Sequence, residues 1–249
     1  MRALLRAARK QEALLLFLDF DGTLVPLQSD SENVRIPPGR RAILARLARR
    51  IPTAVVSGRS LKDIRARIAL REIAWAGNHG LEVRRGQTLW IHPEAKKTIP
   101  VLKKTLQEAE RRLKHIPGVR VEDKGLSGSV HFRRSRAGAV PEIRRILREV
   151  VPTGPGLFKL ARGKKVFEIR PAGEWNKGRA VLCLMKRLDP GGGAMPIYLG
   201  DDRTDEDAFR ALAGRGLTVF VGPSRPTAAL YRLPDVDAVW RFLRALLLI

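Results

Sequence analysis

The feature that most constrains this chain is a set of short, uninterrupted apolar runs, each ending in glycine and polar residues. The first, Ala13 to Leu18, leads straight into Asp19-Phe20-Asp21-Gly22-Thr23. The second, Thr53 to Val56, ends at Ser57-Gly58-Arg59, and the third, Ile73 to Ala76, ends at Gly77-Asn78-His79-Gly80. Apolar runs this short and without alternation suit strands covered on both faces, the condition inside a parallel sheet. Between them, Pro38 to Arg50 carries Ile43, Leu44 and Leu47 at helical spacing behind Pro37-Pro38, and Ser60 is placed to cap a helix reaching about Leu70. The alternation reads βαβαβ, so a parallel sheet with helices on both faces is expected.

After Pro93 the texture changes. Lys96 to Lys114 reads as a long, charged, amphipathic helix, and Val119 to Asp123 and Ser127 to Arg133 show the period-two pattern of an antiparallel pair. A helix from Val140 to Val150 and a strand from Val166 to Arg170 complete a small inserted α+β module. Beyond Gly173 the first rhythm returns: a helix over Lys177 to Arg187, a strand over Pro196 to Leu199, a helix over Asp205 to Leu212, and Leu217 to Val221 as the last core strand. The stretch from Trp240 to Ile249 reads as a packing helix.

Composition narrows the class. Hydrophobic residues are 44% and charged residues 29% of the 249, a globular balance. The single cysteine, Cys183, cannot form an internal disulfide and reads as part of the core. No stretch approaches the roughly 20 apolar residues that span a bilayer, and the N-terminal apolar run, which ends in Asp19, does not read as a signal peptide. A cytoplasmic protein is expected. The net charge of +23 suggests an anionic partner. The 35 Arg and 13 Lys are spread along the chain without a basic tail or stripe, and aromatics are only 6%, which supplies base-stacking platforms poorly and disfavours nucleic acid.

Two acidic loops carry the chemistry. Asp19 and Asp21, two residues apart at a strand end, share one side of an extended chain, and Gly22 permits the turn after them. Gly200-Asp201-Asp202-Arg203-Thr204-Asp205-Glu206-Asp207 follows another apolar strand. Asp205 to Asp207 suit a helix start, where the dipole stabilises them, but Asp201 and Asp202 need another account. With Asp19 and Asp21 they offer the hard oxygen ligands that Mg²⁺ prefers. Ser57 at a strand-to-helix turn and Lys177 at a helix start suit a phosphate pocket.

Asp19-x-Asp21-Gly-Thr, Ser57, Lys177 and Gly200-Asp201-Asp202, in that order, resemble the four motifs of the haloacid dehalogenase superfamily of phosphatases. More specifically, Val55-Val56-Ser57-Gly58-Arg59, Gly77-Asn78-His79-Gly80-Leu81-Glu82, Val130-His131-Phe132-Arg133, Val166-Phe167-Glu168-Ile169-Arg170-Pro171 and Asn176-Lys177-Gly178 resemble the trehalose-6-phosphate phosphatases. The resemblance implies an α/β fold with a Rossmann-like parallel-sheet core, residues 1–94 and 174–249, and an inserted smaller α/β cap domain, residues 95–173. It implies Asp19 as nucleophile, Asp21 as general acid and base, Ser57 and Lys177 as phosphate-binding groups, and Mg²⁺ held by Asp19, Asp21 and Asp201 with Asp202 nearby. It implies Arg59, Asn78, His79, His131, Lys165, Glu168 and Arg170 as contacts to a phosphosugar, with Glu82 possible beside them, and a pathway link to a trehalose-6-phosphate synthase. A phosphatase for sucrose 6-phosphate or another phosphosugar, a catalytically silent regulatory domain, and a basic nucleic-acid-binding protein on the same fold remain as rivals.

Overall fold

The computed structural model describes residues 1–27, 34–154, 157–163 and 165–249. They form two compact units: residues 1–90 with 175–249, and residues 91–174.

The larger unit begins with α1 (Arg2–Arg9), β1 (Leu14–Leu18), α2 (Pro38–Ala48), β2 (Thr53–Val56), α3 (Leu61–Ile68), β3 (Ala74–Gly77), β4 (Glu82–Arg85) and β5 (Thr88–Ile91). The inserted unit follows with α4 (Pro93–Leu113), β6 (Arg120–Asp123), β7 (Gly128–His131), α5 (Val140–Val150), β8 (Phe158–Gly163) and β9 (Val166–Pro171). The larger unit then resumes with α6 (Lys177–Leu188), β10 (Met195–Gly200), α7 (Glu206–Ala211), β11 (Leu217–Val221), β12 (Tyr231–Leu233) and α8 (Val236–Leu246).

The large sheet has the order β12-β11-β10-β1-β2-β3-β4-β5 and is parallel from β12 through β3. Residue parity along the strands explains why nearly all of their core positions are apolar. Leu16, Leu18, Val55, Ile197 and Val219 pack against α1, α2, α3 and α8, while Leu15, Phe17, Ala54, Val56, Tyr198 and Phe220 pack against α6 and α7. The strand order turns around at β1, which lies between β10 and β2. In open parallel sheets the crevice beyond the strand ends at such a switch is where ligands bind.

In the inserted unit the sheet order is β6-β7-β9-β8, antiparallel throughout. Leu102, Leu106 and Ala109 of α4 and Ile143, Ile146 and Leu147 of α5 cover the face carrying Val130, Phe167 and Ile169. The alternating residues Glu122, Ser129, His131, Glu168 and Arg170 belong to the other face.

Several elements differ from the sequence expectations. Leu217–Val221 is not the last core strand: β12 pairs beyond it, with Val219 opposite Tyr231 and Val221 opposite Leu233. α1, the β4 and β5 strands and β8 add to the expected elements. Cys183 is half-buried, with the Arg187 guanidinium nitrogen Nε 3.4 Å from its sulfur, and so is not a core residue.

Candidate active site

Most buried polar groups of the larger unit collect beyond the carboxyl ends of β1, β2, β3 and β10. Asp19 follows β1 and is 4% exposed; its backbone N–H donates to the carbonyl of Leu199 on the neighbouring β10. Lys177 opens α6 behind the capping side chain of Asn176, which accepts from Arg179 N. The Lys177 ammonium, 3% exposed, donates to Asp19 Oδ1 at 2.6 Å and Asp205 Oδ1 at 2.7 Å. Asp205 is fully buried. Its Oδ1 also accepts from the Tyr198 hydroxyl at 2.6 Å, and its Oδ2 accepts from the backbone N–H groups of Asp201 and Asp202.

Asp19, Asp201 and Asp205 each bring an oxygen to within 4.8 Å of the others. With four donors on its two oxygens, Asp205 has little capacity left for a cation and acts as the scaffold of the group. Asp201 differs: its Oδ1 is buried without a hydrogen-bond partner. Gly22, at φ 86°, passes so close to this carboxylate that any Cβ there would collide with it. Burial, then the negative charge of Asp205, pushes the Asp201 carboxyl up to about 7. Burial also raises Asp19 well above the ordinary carboxylate range despite Lys177. Burial alone would lower Lys177, but Asp19 and Asp205 outweigh it and hold the ammonium protonated. Hard oxygen donors, one of them unpartnered, fit a divalent cation.

Ser57, 1% exposed, follows β2; its N–H donates to Ala76 O and its hydroxyl accepts from Arg59 N. The Arg59 fork donates through Nε and Nη2 to both oxygens of Asp21, each at 2.7 Å, and through Nη1 to Asp63 at 2.9 Å. Asp21 is thus placed against Arg59, outside the three-carboxylate group. Asp202 is exposed and enters the site through its backbone N–H. Asn78 and His79 are buried in a turn after β3.

In the inserted unit, His131 Nε2 lies 2.7 Å from Glu122 Oε2, and Arg170 pairs with Glu168 at 3.0 Å. Lys165, at φ 63° in the turn between β8 and β9, lines a groove of about 960 Å³ with Phe132, Arg144, Arg148 and Phe167, beside α5. It therefore stands apart from the Glu168 and His131 face. Sequence reasoning treated Asp205 as a helix-start charge and missed Tyr198; the spacing Asp201-x-x-x-Asp205 after an apolar strand was the available signal.

A Rossmann-like parallel sheet with these acidic loops beyond β1 and β10 is the fold of a haloacid dehalogenase-type hydrolase. The trehalose-phosphatase family model matches residues 17–237, and the chain belongs to that family. It is 36% identical to trehalose-phosphate phosphatase B of Arabidopsis thaliana over 253 residues, covering 96% of this chain and 67% of that protein. Identity to trehalose 6-phosphate phosphatase RA3 of Zea mays is 36% over 260 residues, covering 97% and 72%. A crystal structure of a trehalose-6-phosphate phosphatase related protein matches with a TM-score of 0.83 at 27% identity, covering 94% of this chain and 97% of that one.

Proposed function

We propose that this protein hydrolyses trehalose 6-phosphate to trehalose and phosphate. The observation that carries this reading is the buried Asp19, Lys177 and Asp201 group beyond the ends of adjacent parallel strands, in a chain of the trehalose-phosphatase family. Asp19 is the nucleophile: its carboxylate attacks phosphorus, the bond from phosphorus to the sugar oxygen breaks, and an aspartyl-phosphate forms. Asp21 gives its proton to the departing sugar oxygen, then takes one from the water that attacks the aspartyl-phosphate and releases phosphate. For Asp21 to carry that proton, its two-pronged pair with Arg59 has to open. Ser57 and Lys177 hold phosphoryl oxygens and stabilise the charge that builds up in the transition state. Asp19, Asp201 and the Asp21 backbone carbonyl, with Asp202 nearby, would hold Mg²⁺, which when bound neutralises phosphoryl charge. The sugar hydroxyls would be read by the polar face of the inserted unit's sheet, through His131, Glu168 and Arg170. A trehalose-6-phosphate synthase as the source of substrate, in the cytoplasm, goes with this reading.

The test is phosphate release with Mg²⁺ and with chelator, across trehalose 6-phosphate, sucrose 6-phosphate, glucose 6-phosphate and a mononucleotide. A Mg²⁺-dependent preference for the first is expected. Preference for another sugar phosphate would overturn the substrate, and no release from any would overturn the reaction.

A further inference from the structure

The turn that joins β3 to β4 is built in an expensive way. Asn78, His79 and Gly80 have φ of 51°, 57° and 92°, three consecutive residues in the left-handed region. For the two that are not glycine, such a conformation is uncommon unless the surroundings impose it. The surroundings do impose it. Asn78 N donates to Arg59 O at 2.7 Å and His79 N donates to Ser57 O at 2.9 Å, so two carbonyls of the Ser57 loop are tied to the turn. On its other side Gly80 lies so near α6 that a Cβ there would overlap Ala180, one turn along from Lys177. One short turn therefore touches both segments that carry the phosphate-binding groups.

Glu82 locks this turn. It is the first residue of β4, opposite Gly77, and its Oε1 accepts from Asn78 Nδ2 and from Leu61 N, both at 2.7 Å. Leu61 opens α3, so the same oxygen fixes the start of the helix that follows the Ser57 loop. Its surroundings are mostly buried, which raises its pKa even though both donors favour the charged form. A half-buried acid that accepts from donors on two different elements ties those elements together, and without it both donors would lose that partner.

We infer that Glu82 is a positioning residue that, through the strained Asn78–Gly80 turn, fixes Ser57 and Lys177 in their phosphate-binding places. The inference rests on the phosphatase reading above. It differs from a role for Glu82 as a sugar contact, because the groups it places touch the part common to all phosphate monoesters.

The test compares Glu82→Gln, Glu82→Asp and Glu82→Leu with the wild type on trehalose 6-phosphate and on p-nitrophenyl phosphate, with thermal melting of each variant. Gln has an oxygen in the same place and should retain kcat/KM within about threefold. Asp keeps the charge but is one methylene short, and it should lose on the order of tenfold to a hundredfold, equally on both substrates, as should Leu if it folds. Loss confined to trehalose 6-phosphate would make Glu82 a sugar contact and overturn the inference. So would a Gln variant as damaged as Asp, or an Asp variant with wild-type kcat/KM on both. A change in melting temperature with kcat/KM unchanged would leave Glu82 a purely structural residue and overturn it too. A wild type inactive on both esters would instead overturn the phosphatase reading.

Discussion

Lys177 carries its charge where water does not reach, between two carboxylates that would otherwise face each other. Removing one member of a buried ionic group leaves uncompensated charge and costs about 3 to 5 kcal/mol. Lys177→Ala should therefore destabilise the protein by that amount in urea unfolding, besides abolishing turnover. Asp19→Asn should behave oppositely: turnover is lost, but stability at neutral pH is kept or raised. The sign follows from the raised Asp19 pKa, because the folded state disfavours the ionised form that an amide cannot adopt. Phosphate release and a melting curve on the same sample check both parts. At Asp63 the sign is reversed. Burial would raise it, but hydrogen bonds from Arg67 and Arg59 outweigh burial and lower its pKa. Its contribution is present above the unfolded carboxylate range, about pH 4, and is lost as pH falls through the folded value. The stability difference between wild type and Asp63→Asn should thus be constant near neutral pH and shrink below about pH 4. Asp19, Ser57 and Lys177 were legible in the sequence because each sits at the end of an apolar run or the start of a helix. Asp205 was not, since a carboxylate before a helix reads the same whether it faces solvent or, as here, turns inward to a lysine 28 residues earlier.

At the scale of elements, most of the large sheet was legible because doubly covered strands are uninterrupted apolar runs. What escaped has physical reasons. β12 is a Tyr-Arg-Leu stretch at a sheet edge, half exposed, with no run to see. α1 buries only Leu4 and Ala8, and β5 is largely exposed, so neither shows a sustained apolar pattern. α4 began at Pro93 and ran through Pro100, a residue that normally ends or kinks a helix. Pro100 is exposed, and it deprives the helix of a backbone hydrogen bond without taking part in the core. Pro100→Ala should therefore stabilise the 91–174 unit by about 1 kcal/mol or more. Hydrogen exchange of α4 amides would show slower opening; unchanged or faster exchange would mean that the helix gains more from the fixed proline φ than it loses.

For the whole molecule, the charge of +23 is the property that the proposed reaction uses least. Part of it lines the groove beside α5, where Arg144, Arg145, Arg148, Arg162 and Lys165 meet, yet the aromatic rings there, Phe132 and Phe167, are buried at 3% and 2% exposure and offer no base-stacking surface. We expect only non-specific affinity for a random oligonucleotide, on the order of 10⁻⁴ to 10⁻⁶ M at physiological salt, falling steeply as salt rises. Fluorescence anisotropy would measure it, and nanomolar binding would favour the nucleic-acid rival. No helix among the described residues is long and apolar enough to cross a membrane.

The chain leaves the larger unit after Trp90 and re-enters it at Trp175, and the rings of these two residues pack together with centroids 5.2 Å apart. Asp19, Asp21, Ser57, Lys177, Asp201 and Asp205 all lie outside the stretch between them. Topologically the insert is one long loop with a single root. A foreign segment spliced there needs only to match one pair of ends, while the residues of the candidate site are encoded on either side of the splice. A designer can graft a different segment at the same two tryptophans.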